Sequence, residues 1–344
     1  MPICIYHFLN LKFCAKIANL PKEKGYFCAK SVEMLKIGVL GTRNFGEEKI
    51  VGLNKVESVQ LVGFFPLDDH NRKEKPLPDT SLFIFSSFDN FCESVDTIYI
   101  PEPETEHFDV LIQLLKKSKH LFFEQAITFS AKQSFRLIET ASEAGVHIQF
   151  GHLFQYNPAF VEAKKRINQP ELIVSQSLVT PQGQHSKEVV NQFIDDMVVA
   201  LLTVPSEIKK VQATGVNVIG KTPDVIHAKI EFINGTVLNL TGSRISTVQH
   251  HQTEFFEKDN YIKVDFTRQK AIRLISNLEH PEITAQFEEI TAKPTNTIGS
   301  AMKNFYNTIV HNKEPKVSVY TSFKAIQLAE QILDKATGSG NFDE

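Results

Sequence analysis

A glycine-containing turn at residues 41–46 is the first feature of the sequence that could do chemistry. It follows an apolar run at 35–40 and reads Gly41-Thr42-Arg43-Asn44-Phe45-Gly46. A strand, a tight glycine turn and a helix start place backbone N–H groups around the pyrophosphate of a dinucleotide. In the G-x-G-x-x-G pattern the middle glycine would stand where this chain has Arg43. Two interpretations stay open: Arg43 blocks the phosphate position, or its guanidinium binds a phosphate.

A dinucleotide site also needs an acidic residue at the end of the second strand, where it binds the ribose hydroxyls. The candidate strand at 59–65 is followed by Pro66 at that place, and Asp68 and Asp69 come shortly after it. These two aspartates either reach the ribose or belong to a solvated loop of charges.

Hydride transfer from a carbinol needs, in addition, a group that takes the hydroxyl proton. Asp195 lies beside Asp196 in a predicted helix near 187–203. Neighbouring residues do not face each other on a helix, so the two carboxylates are not expected to share a proton. Asp195 is a candidate base, a ligand of a substrate hydroxyl, or an exposed helix residue. His152 and Tyr156, in the segment that joins the two predicted domains, are candidate substrate ligands.

From residue 35 to about 150, short apolar strands alternate with amphipathic helices. Strands that are apolar on both faces and separated by helices are typical of a buried parallel sheet with right-handed crossovers. We therefore predict a doubly wound Rossmann domain over residues 34–153. Its strands are predicted at 35–40, 59–65, 82–85, 97–100, 121–123 and 146–150, and two of its helices at 106–117 and 131–144.

After residue 155 the pattern changes to longer strands joined by hairpin signals. Asn234-Gly235 predicts a type I′ turn between two of these strands. The fold class is thus α/β, with a C-terminal α/β domain over 154–336 that carries a large, mainly antiparallel open sheet. Residues 1–33 are predicted to be an appendage and 337–344 a flexible tail. The further elements are predicted as strands at 228–232, 237–240, 253–257, 261–266 and 271–275 and helices at 297–311 and 321–336.

The composition of the chain argues against several classes of function. The 37 basic and 40 acidic residues give a net charge of −3, which offers no electrostatic case for a nucleic-acid partner. No apolar run approaches the roughly 18 residues of a membrane-spanning helix, so no membrane partner is predicted. The 4 cysteines and 12 histidines lack metal-ligand spacing, so no metal site is predicted. The scattered cysteines favour a cytoplasmic protein.

Five segments in a fixed order give the chain a resemblance to the Gfo/Idh/MocA family, named for glucose-fructose oxidoreductase and inositol dehydrogenase. They are LKIGVLG at 35–41, IPEPETEH at 100–107, KHLFFEQA at 119–126, GHLFQYNPA at 151–159 and the hairpin at 232–246. The resemblance implies an NAD- or NADP-dependent oxidoreductase that acts on a sugar or sugar derivative, and a homo-oligomer that pairs through its open sheet. It implies cofactor contacts from the glycine turn (Gly41, Arg43, Asn44, Phe45 and Gly46) and from Pro101, His107 and Glu124.

The chain departs from this family at the catalytic positions. Gln125 stands where members usually carry the lysine of Glu-Lys-Pro, and Ala126 replaces the proline. In the family's Asp-x-x-x-His pattern, Asn191 takes the Asp position and Asp195 the His position. In the other register Asp195 takes the Asp position and Val199 the His position. Gln125, Asn191 and Asp195 are therefore candidate catalytic positions at which the usual residue is replaced.

Two hypotheses about function stay open. In the first, the protein is an oxidoreductase that binds NAD or NADP. It would use Arg43 on the pyrophosphate, Gln125 to position a sugar-like substrate, and Asp195 or a water as base. In the second, it is a non-catalytic relative, a pseudoenzyme that keeps the fold as a binding or scaffold module.

Overall fold

The structure is a computed structural model that describes residues 34–41, 47–67, 82–124, 130–181, 189–219, 221–275 and 286–338. Six parallel strands form its first sheet: β1 (Leu35–Gly41), β2 (Val59–Pro66), β3 (Phe83–Ile84), β4 (Thr97–Ile100), β5 (His120–Phe123) and β6 (Ile148–Phe150). Their order is β3-β2-β1-β4-β5-β6. The strand order reverses between β1 and β4, which is where doubly wound sheets open a crevice at the carboxyl ends of their strands. The predicted Rossmann-type sheet is confirmed.

Local sequence signals explain the helices around this sheet, which are α1 (Glu47–Asn54), α2 (Phe88–Ser94), α3 (Phe108–Lys116) and α4 (Ala131–Ala144). At the start of α4 the Ser130 side chain accepts from the Gln133 backbone, and the Gln133 side chain accepts from the Ser130 backbone. This capping box satisfies two backbone donors. The helix ends at Gly145, whose φ of 66° suits the left-handed position after a helix.

The second sheet has eight strands in the order β14-β13-β12-β11-β7-β10-β9-β8. β7 and β10 pair in parallel, and the other pairs are antiparallel. Side chains alternate between a buried and a half-buried face, as along β7, where Ile173, Ser175 and Ser177 point inward. The strands are β7 (Leu172–Leu178), β8 (Ile208–Val216), β9 (Val225–Phe232), β10 (Val237–Ser243), β11 (His250–Glu257), β12 (Asn260–Asp265), β13 (Lys270–Ile275) and β14 (Gln286–Ile290).

Four more helices lie in the C-terminal half of the chain: α5 (Pro158–Lys164), α6 (Ile194–Thr203), α7 (Thr297–His311) and α8 (Val319–Gly338). Short 3₁₀ helices at Leu153–Tyr156 and Val189–Phe193 precede α5 and α6. In the described ranges no helix has the length and apolar character needed to cross a bilayer.

Helix α7 packs against the first sheet although it follows the second sheet in the chain. Met302 and Phe305 share one buried cluster with Tyr99 and Phe122 of β4 and β5. Asn296, which caps α7, donates through Nδ2 to the Gly52 carbonyl at 2.6 Å. The domain boundary between residues 153 and 154 stays a prediction. Helix α7 follows this boundary in the chain but packs in the core of the first sheet.

The turn between β9 and β10 differs from the predicted type I′ geometry. Among residues 232–236 only Gly235 has a positive φ, of 94°. The Gly235 N–H donates to the Phe232 carbonyl at 3.1 Å, and the Phe232 N–H donates to the Thr236 carbonyl at 2.9 Å. This is the three-residue hairpin loop in which a type I turn is followed by a glycine bulge. The Asn-Gly signal identified the hairpin, but one extra residue in the loop changed its turn type.

Candidate functional site

The carboxyl ends of β1, β2 and β4 form the edge where the sequence predicts a dinucleotide. Gly41 ends β1, and a Cβ added there would lie 3.7 Å from Pro101 Cδ, so the segment after β4 lies beside the end of β1. Gly41 is paired with Pro66, which takes the place of a ribose-binding acid at the end of β2. The strand order and the small residue at 41 fit a dinucleotide, and Pro66 leaves the ribose contact to other residues. Arg43, Asn44, Phe45, Gly46, Asp68, Asp69 and Gln125 lie outside the described residues.

His107 and Glu124, two predicted cofactor ligands, are buried and hold the ends of β4 and β5. The Glu104 backbone N–H donates to His107 Nδ1 at 3.2 Å, which stabilises the start of α3. Tyr99 donates its hydroxyl to Glu124 Oε2. Burial first, and then the charge and hydrogen bond of Glu124, raise the pKa of Tyr99, so that it stays a neutral donor. Both predicted ligands therefore have structural partners at the edge of the crevice.

A carboxylate, an imidazole and a hydroxyl form a hydrogen-bonded chain beside this edge. Asp195 Oδ1, at the start of α6, lies 2.8 Å from His152 Nδ1. The other ring nitrogen, His152 Nε2, lies 2.9 Å from Ser322 Oγ on α8. The three residues come from three different elements, and their contacts span 43 and 170 positions of sequence. We call this set the Asp195 chain.

The backbone around His152 fixes the imidazole in place. His152 has a φ of 39° and a ψ of 62°, a left-handed conformation that is rare for a residue with a side chain. Gly151 precedes it, and a Cβ there would lie 2.7 Å from the carbonyl oxygens of Phe123 and Glu124. The lack of a side chain at 151 therefore lets the end of β6 lie against the end of β5, and His152 turns toward α6.

The Asp195 chain contains the residue types of a hydrolase triad, but here the exposed residue is the aspartate and the buried one is the serine. In a triad the serine meets the substrate and the aspartate is buried. Here Ser322 is 1% exposed and His152 2%, whereas the Asp195 side chain is 24% exposed. The Ser322 hydroxyl also lies 3.3 Å from the Ser318 carbonyl of its own chain segment. The carboxylate is thus the member of the chain that can meet a substrate.

Asp196 is oriented away from Asp195 and belongs to a second network over the second sheet. Its Oδ2 lies 2.7 Å from His251 Nε2, and its Oδ1 accepts from Ser175 Oγ at 2.5 Å and from Thr253 Oγ1 at 3.3 Å. Burial on its own lowers the pKa of His251. The charge and hydrogen bond of Asp196, together with the charges of Asp195 and Asp265, outweigh that effect and raise it.

Tyr156, a predicted substrate ligand, is 2% exposed and linked to α7. Its hydroxyl donates to Asn304 Oδ1 at 2.8 Å and accepts from Gln149 Nε2 at 3.2 Å. Lys316 Nζ lies 4.8 Å from the centre of its ring. These contacts hold Tyr156 against α7, and its role as a substrate ligand stays a prediction. Asn191, half-buried in the 3₁₀ helix at Val189–Phe193, lies just before α6.

The sequence identified Asp195 and His152 separately, and it did not indicate Ser322 or His251. The alternation of side chains along β11 could have pointed to His251, because neighbouring histidines on a strand lie on opposite faces. No local spacing could have indicated Ser322, since its partner lies 170 positions earlier.

Comparison with known proteins gives consistent matches. Residues 35–152 match the model of an oxidoreductase family with an NAD-binding Rossmann fold, GFO_IDH_MocA. UDP-N-acetylglucosamine 3-dehydrogenase of Acidithiobacillus ferrooxidans is 25% identical over 238 residues, 67% of this chain and 74% of that protein. Scyllo-inositol 2-dehydrogenase (NAD(+)) of Bacillus subtilis is 26% identical over 200 residues, 53% of this chain and 58% of that protein.

Solved structures show the same fold across most of the chain. The structure of the Acidithiobacillus ferrooxidans dehydrogenase matches with a TM-score of 0.78 and 20% identity, covering 89% of this chain and 99% of its own. A 3-ketoreductase from Actinomadura kijaniata, solved with TDP-benzene and NADP, matches with a TM-score of 0.73 and 14% identity, covering 87% of this chain and 96% of its own. Residues 35–152 thus match the Gfo/Idh/MocA oxidoreductase family, and the two-sheet fold of the whole chain is similar to that of the solved dehydrogenase and ketoreductase structures.

Proposed function

We propose that the protein is an NAD(P)-dependent dehydrogenase that oxidises a secondary alcohol on a sugar or sugar derivative, with Asp195 as its base. The observation that carries the proposal is the 2.8 Å contact between Asp195 and the buried ring of His152, with the carboxylate as the exposed partner. A base for this reaction must reach the substrate hydroxyl and must hold its proton while the hydride leaves. Asp195 meets the first need by its exposure, and it meets the second with a carboxylate that His152 holds in a fixed orientation.

The proton chemistry follows from the Asp195 chain. Asp195 accepts the hydroxyl proton of the alcohol on its carboxylate. His152 Nδ1 lies 2.8 Å from Oδ1 of the same carboxylate and donates its own proton to that oxygen, so Oδ2 is left to accept the proton of the substrate. Ser322 holds the far nitrogen at 2.9 Å and fixes the ring orientation. His152 and Ser322 are therefore positioning residues, and Asp195 is the catalytic residue.

Cofactor contacts are proposed at the ends of β1 and β4, where Gly41 and Pro101 lie together, and in the glycine turn after β1. When bound there, a nicotinamide dinucleotide supplies the hydride acceptor. The proposed substrate class rests on two relatives, whose names describe dehydrogenases of UDP-N-acetylglucosamine and of scyllo-inositol. Both compounds carry a secondary alcohol on a six-membered ring.

The test combines cofactor binding with turnover. Calorimetry on the full chain with NAD⁺, NADH, NADP⁺ and NADPH is expected to give micromolar binding of at least one. A screen of cyclic sugars and cyclitols is then expected to give cofactor reduction, and Asp195→Asn is expected to lower kcat about 10²–10⁴-fold with cofactor affinity unchanged. No binding at millimolar cofactor would instead favour the non-catalytic relative. Full turnover by Asp195→Asn would remove Asp195 from the role of base.

We also propose that a second copy of the chain packs on the half-buried face of the second sheet. Val174, Phe256 and Tyr261 lie on this face, and the rings of the last two have centroids 5.0 Å apart. Light scattering after size-exclusion chromatography is expected to give a dimer mass, and Val174→Glu is expected to give the monomer mass because it places a charge in the apolar contact. A monomer mass for the unaltered chain would contradict this proposal. Location in the cytoplasm stays a prediction.

A further inference from the structure

His251 is a half-buried imidazole that the proposed proton chemistry does not use, and it contacts both sides of the Asp195–His152 pair. Its Nε2 lies 2.7 Å from Oδ2 of Asp196, the neighbour of Asp195 on α6. Its ring also meets the ring of Phe154 edge-on, with centroids 4.3 Å apart, and Phe154 follows His152 by two positions. One residue of β11 therefore lies against the helix that carries the carboxylate and against the segment that carries the imidazole.

Both carboxylate oxygens of Asp196 are held by side chains of the second sheet. Oδ1 accepts from Ser175 Oγ at 2.5 Å and from Thr253 Oγ1 at 3.3 Å, and Ser175 and Thr253 are paired across β7 and β11. His251 lies two positions before Thr253, on the same face of β11, and holds Oδ2. Hydrogen bonds are directional, so these three contacts fix the start of α6 at one place on the sheet.

The rotation of α6 about its axis decides where the carboxylate of Asp195 lies. The buried side chains of Met197 and Val198 contact the core through apolar atoms, which tolerate sliding. Cα atoms lie about 2.3 Å from a helix axis, so a rotation of about 20° moves the Cα of Asp195 by roughly 0.8 Å. A misplacement of about 1 Å at a reacting group costs on the order of 10² in rate. The contacts of Asp196 oppose such a rotation and so preserve the 2.8 Å contact between Asp195 and His152.

Stability alone does not explain the pair between His251 and Asp196. Their side chains are 17% and 1% exposed, and removing two charged groups from water is costly. Replacing a buried ion pair by apolar residues of similar volume is often neutral or stabilising. A buried polar network whose members are all hydrogen-bonded does, however, define one arrangement of the elements that it joins. The pair therefore fits a role in geometry better than a role in stability.

We propose that His251 is a positioning residue that holds the carboxylate of Asp195 against His152, acting through Asp196. The role requires the donor at Nε2 and not the ring itself. For its effect on turnover the inference rests on the proposed function, because Asp195 is the proposed base. His251 does not touch the reacting atoms.

A matched pair of amide variants separates the donor of His251 from its ring. The amide nitrogen of Gln lies as many bonds from Cβ as Nε2 and can reach Asp196, whereas the shorter Asn places its nitrogen at the position of Nδ1. His251→Asn is expected to lower kcat about 10- to 100-fold, with KM changed less than about twofold, and His251→Gln is expected to restore kcat to within about threefold. Steady-state kinetics on the full chain use UDP-N-acetylglucosamine and scyllo-inositol as probes. The control is His311→Gln, at the exposed end of α7, which is expected to leave kcat unchanged.

An NMR signal tests the same inference without turnover. In the full chain labelled with ¹⁵N-histidine, the Nδ1–H of His152 that donates to Asp195 is expected to give a downfield proton resonance, assigned by its loss in His152→Gln. The resonance is expected to persist in His251→Gln and His311→Gln and to shift upfield or broaden in His251→Asn. His251→Phe keeps a ring against Phe154 but has no donor, so it is expected to behave like His251→Asn. Thermal unfolding followed by circular dichroism shows which variants are folded.

Several outcomes would overturn the inference. One is an unchanged kcat and His152 resonance in folded His251→Asn or His251→Phe, even where the variant is less stable. Another is an equal loss in His251→Gln and His251→Asn, which would assign the effect to the ring or its charge. A third is the absence of the His152 resonance from the unaltered protein. If the unaltered protein neither binds nor reduces a cofactor, the proposed function fails, and a His152 resonance that depends on the donor at 251 still supports this inference.

Discussion

Asp195 Oδ1 lies 2.8 Å from His152 Nδ1, so a helix carboxylate and a strand-end imidazole form one hydrogen-bonded pair. In one of the two registers of the family's Asp-x-x-x-His pattern, position 195 of the helix would carry the imidazole. Here the helix supplies the carboxylate, and the imidazole comes from the end of β6.

Ser322→Ala is expected to lower kcat several-fold and to shift the pH–rate profile, with KM little changed. The substitution removes the partner of His152 Nε2, which frees the ring to change orientation or tautomer. Steady-state kinetics across pH measure the effect. Thr203→Val is the matched control, because the Thr203 hydroxyl is buried on α6 and donates to the carbonyls of Val199 and Ala200. An unshifted profile for Ser322→Ala would assign Ser322 to packing alone.

NMR titration of the histidine rings is expected to place the pKa of His251 above the ordinary 6.5. Burial opposes this rise, and the carboxylates of Asp196, Asp195 and Asp265 cause it. Because the folded-state pKa is raised, the pair stabilises the fold fully below pH 6.5, and this contribution is lost as pH rises through the folded value. Asp196→Asn is expected to lower the pKa of His251. A value below 6.5 in the unaltered protein would contradict the pairing.

His120 is expected to make the fold sensitive to acid. Burial, followed by the charges of His147 and Lys119, lowers its pKa to about 3. The unfolded chain therefore binds a proton between pH 6.5 and 3 that the folded chain excludes, and stability falls by up to about 1.4 kcal/mol per pH unit as pH drops through that window. Urea unfolding at pH 7.5 and 5 measures it. His120→Gln is expected to reduce the pH dependence, while His227→Gln, at an exposed site, leaves it unchanged. Equal pH dependence in all three proteins would contradict the assignment.

Arg244→Met is expected to lower the free energy of unfolding by about 3–5 kcal/mol, because it removes the cationic partner of a buried carboxylate. Arg244 Nε donates to Asp224 Oδ1 at 2.6 Å, and their side chains are 9% and 3% exposed. Asp224 Oδ2 also accepts from the backbone of Val218 and Ile219. Denaturant unfolding of Arg244→Met, of Asp224→Asn and of the double variant tests whether Arg244 and Asp224 are coupled. Additive losses would show that the two groups act independently.

Elements with strong local signals were predictable from sequence, and those whose signals come from distant partners were not. α4 has a capping box at Ser130 and a glycine end at 145, and its predicted range is confirmed. β7 and β8 were not predicted, because each mixes polar and apolar residues. Their pairing partners lie elsewhere in the chain and decide their conformation.

In the candidate site, too, the contacts between distant residues could not be predicted from sequence. Residue type alone indicated Asp195 and His152 as reactive groups, but their contact crosses 43 positions and depends on the tertiary fold. The exposed member of the pair could not be identified from sequence either. Exposure depends on how α8 covers His152, and α8 is distant in sequence from both.

Helix α8 supplies Ser322 to the His152 ring, and its Glu330 accepts from the Ala131 backbone at the start of α4, at 2.6 Å. Among the described elements it is the last to be synthesised. Domains fold as the chain leaves the ribosome, so both sheets can form while these two contacts are still missing. A nascent chain that stops before residue 319 would hold Asp195 and His152 without the hydroxyl that orients the imidazole. Synthesis through helix α8 is therefore a condition for a fixed orientation of the His152 ring against Asp195.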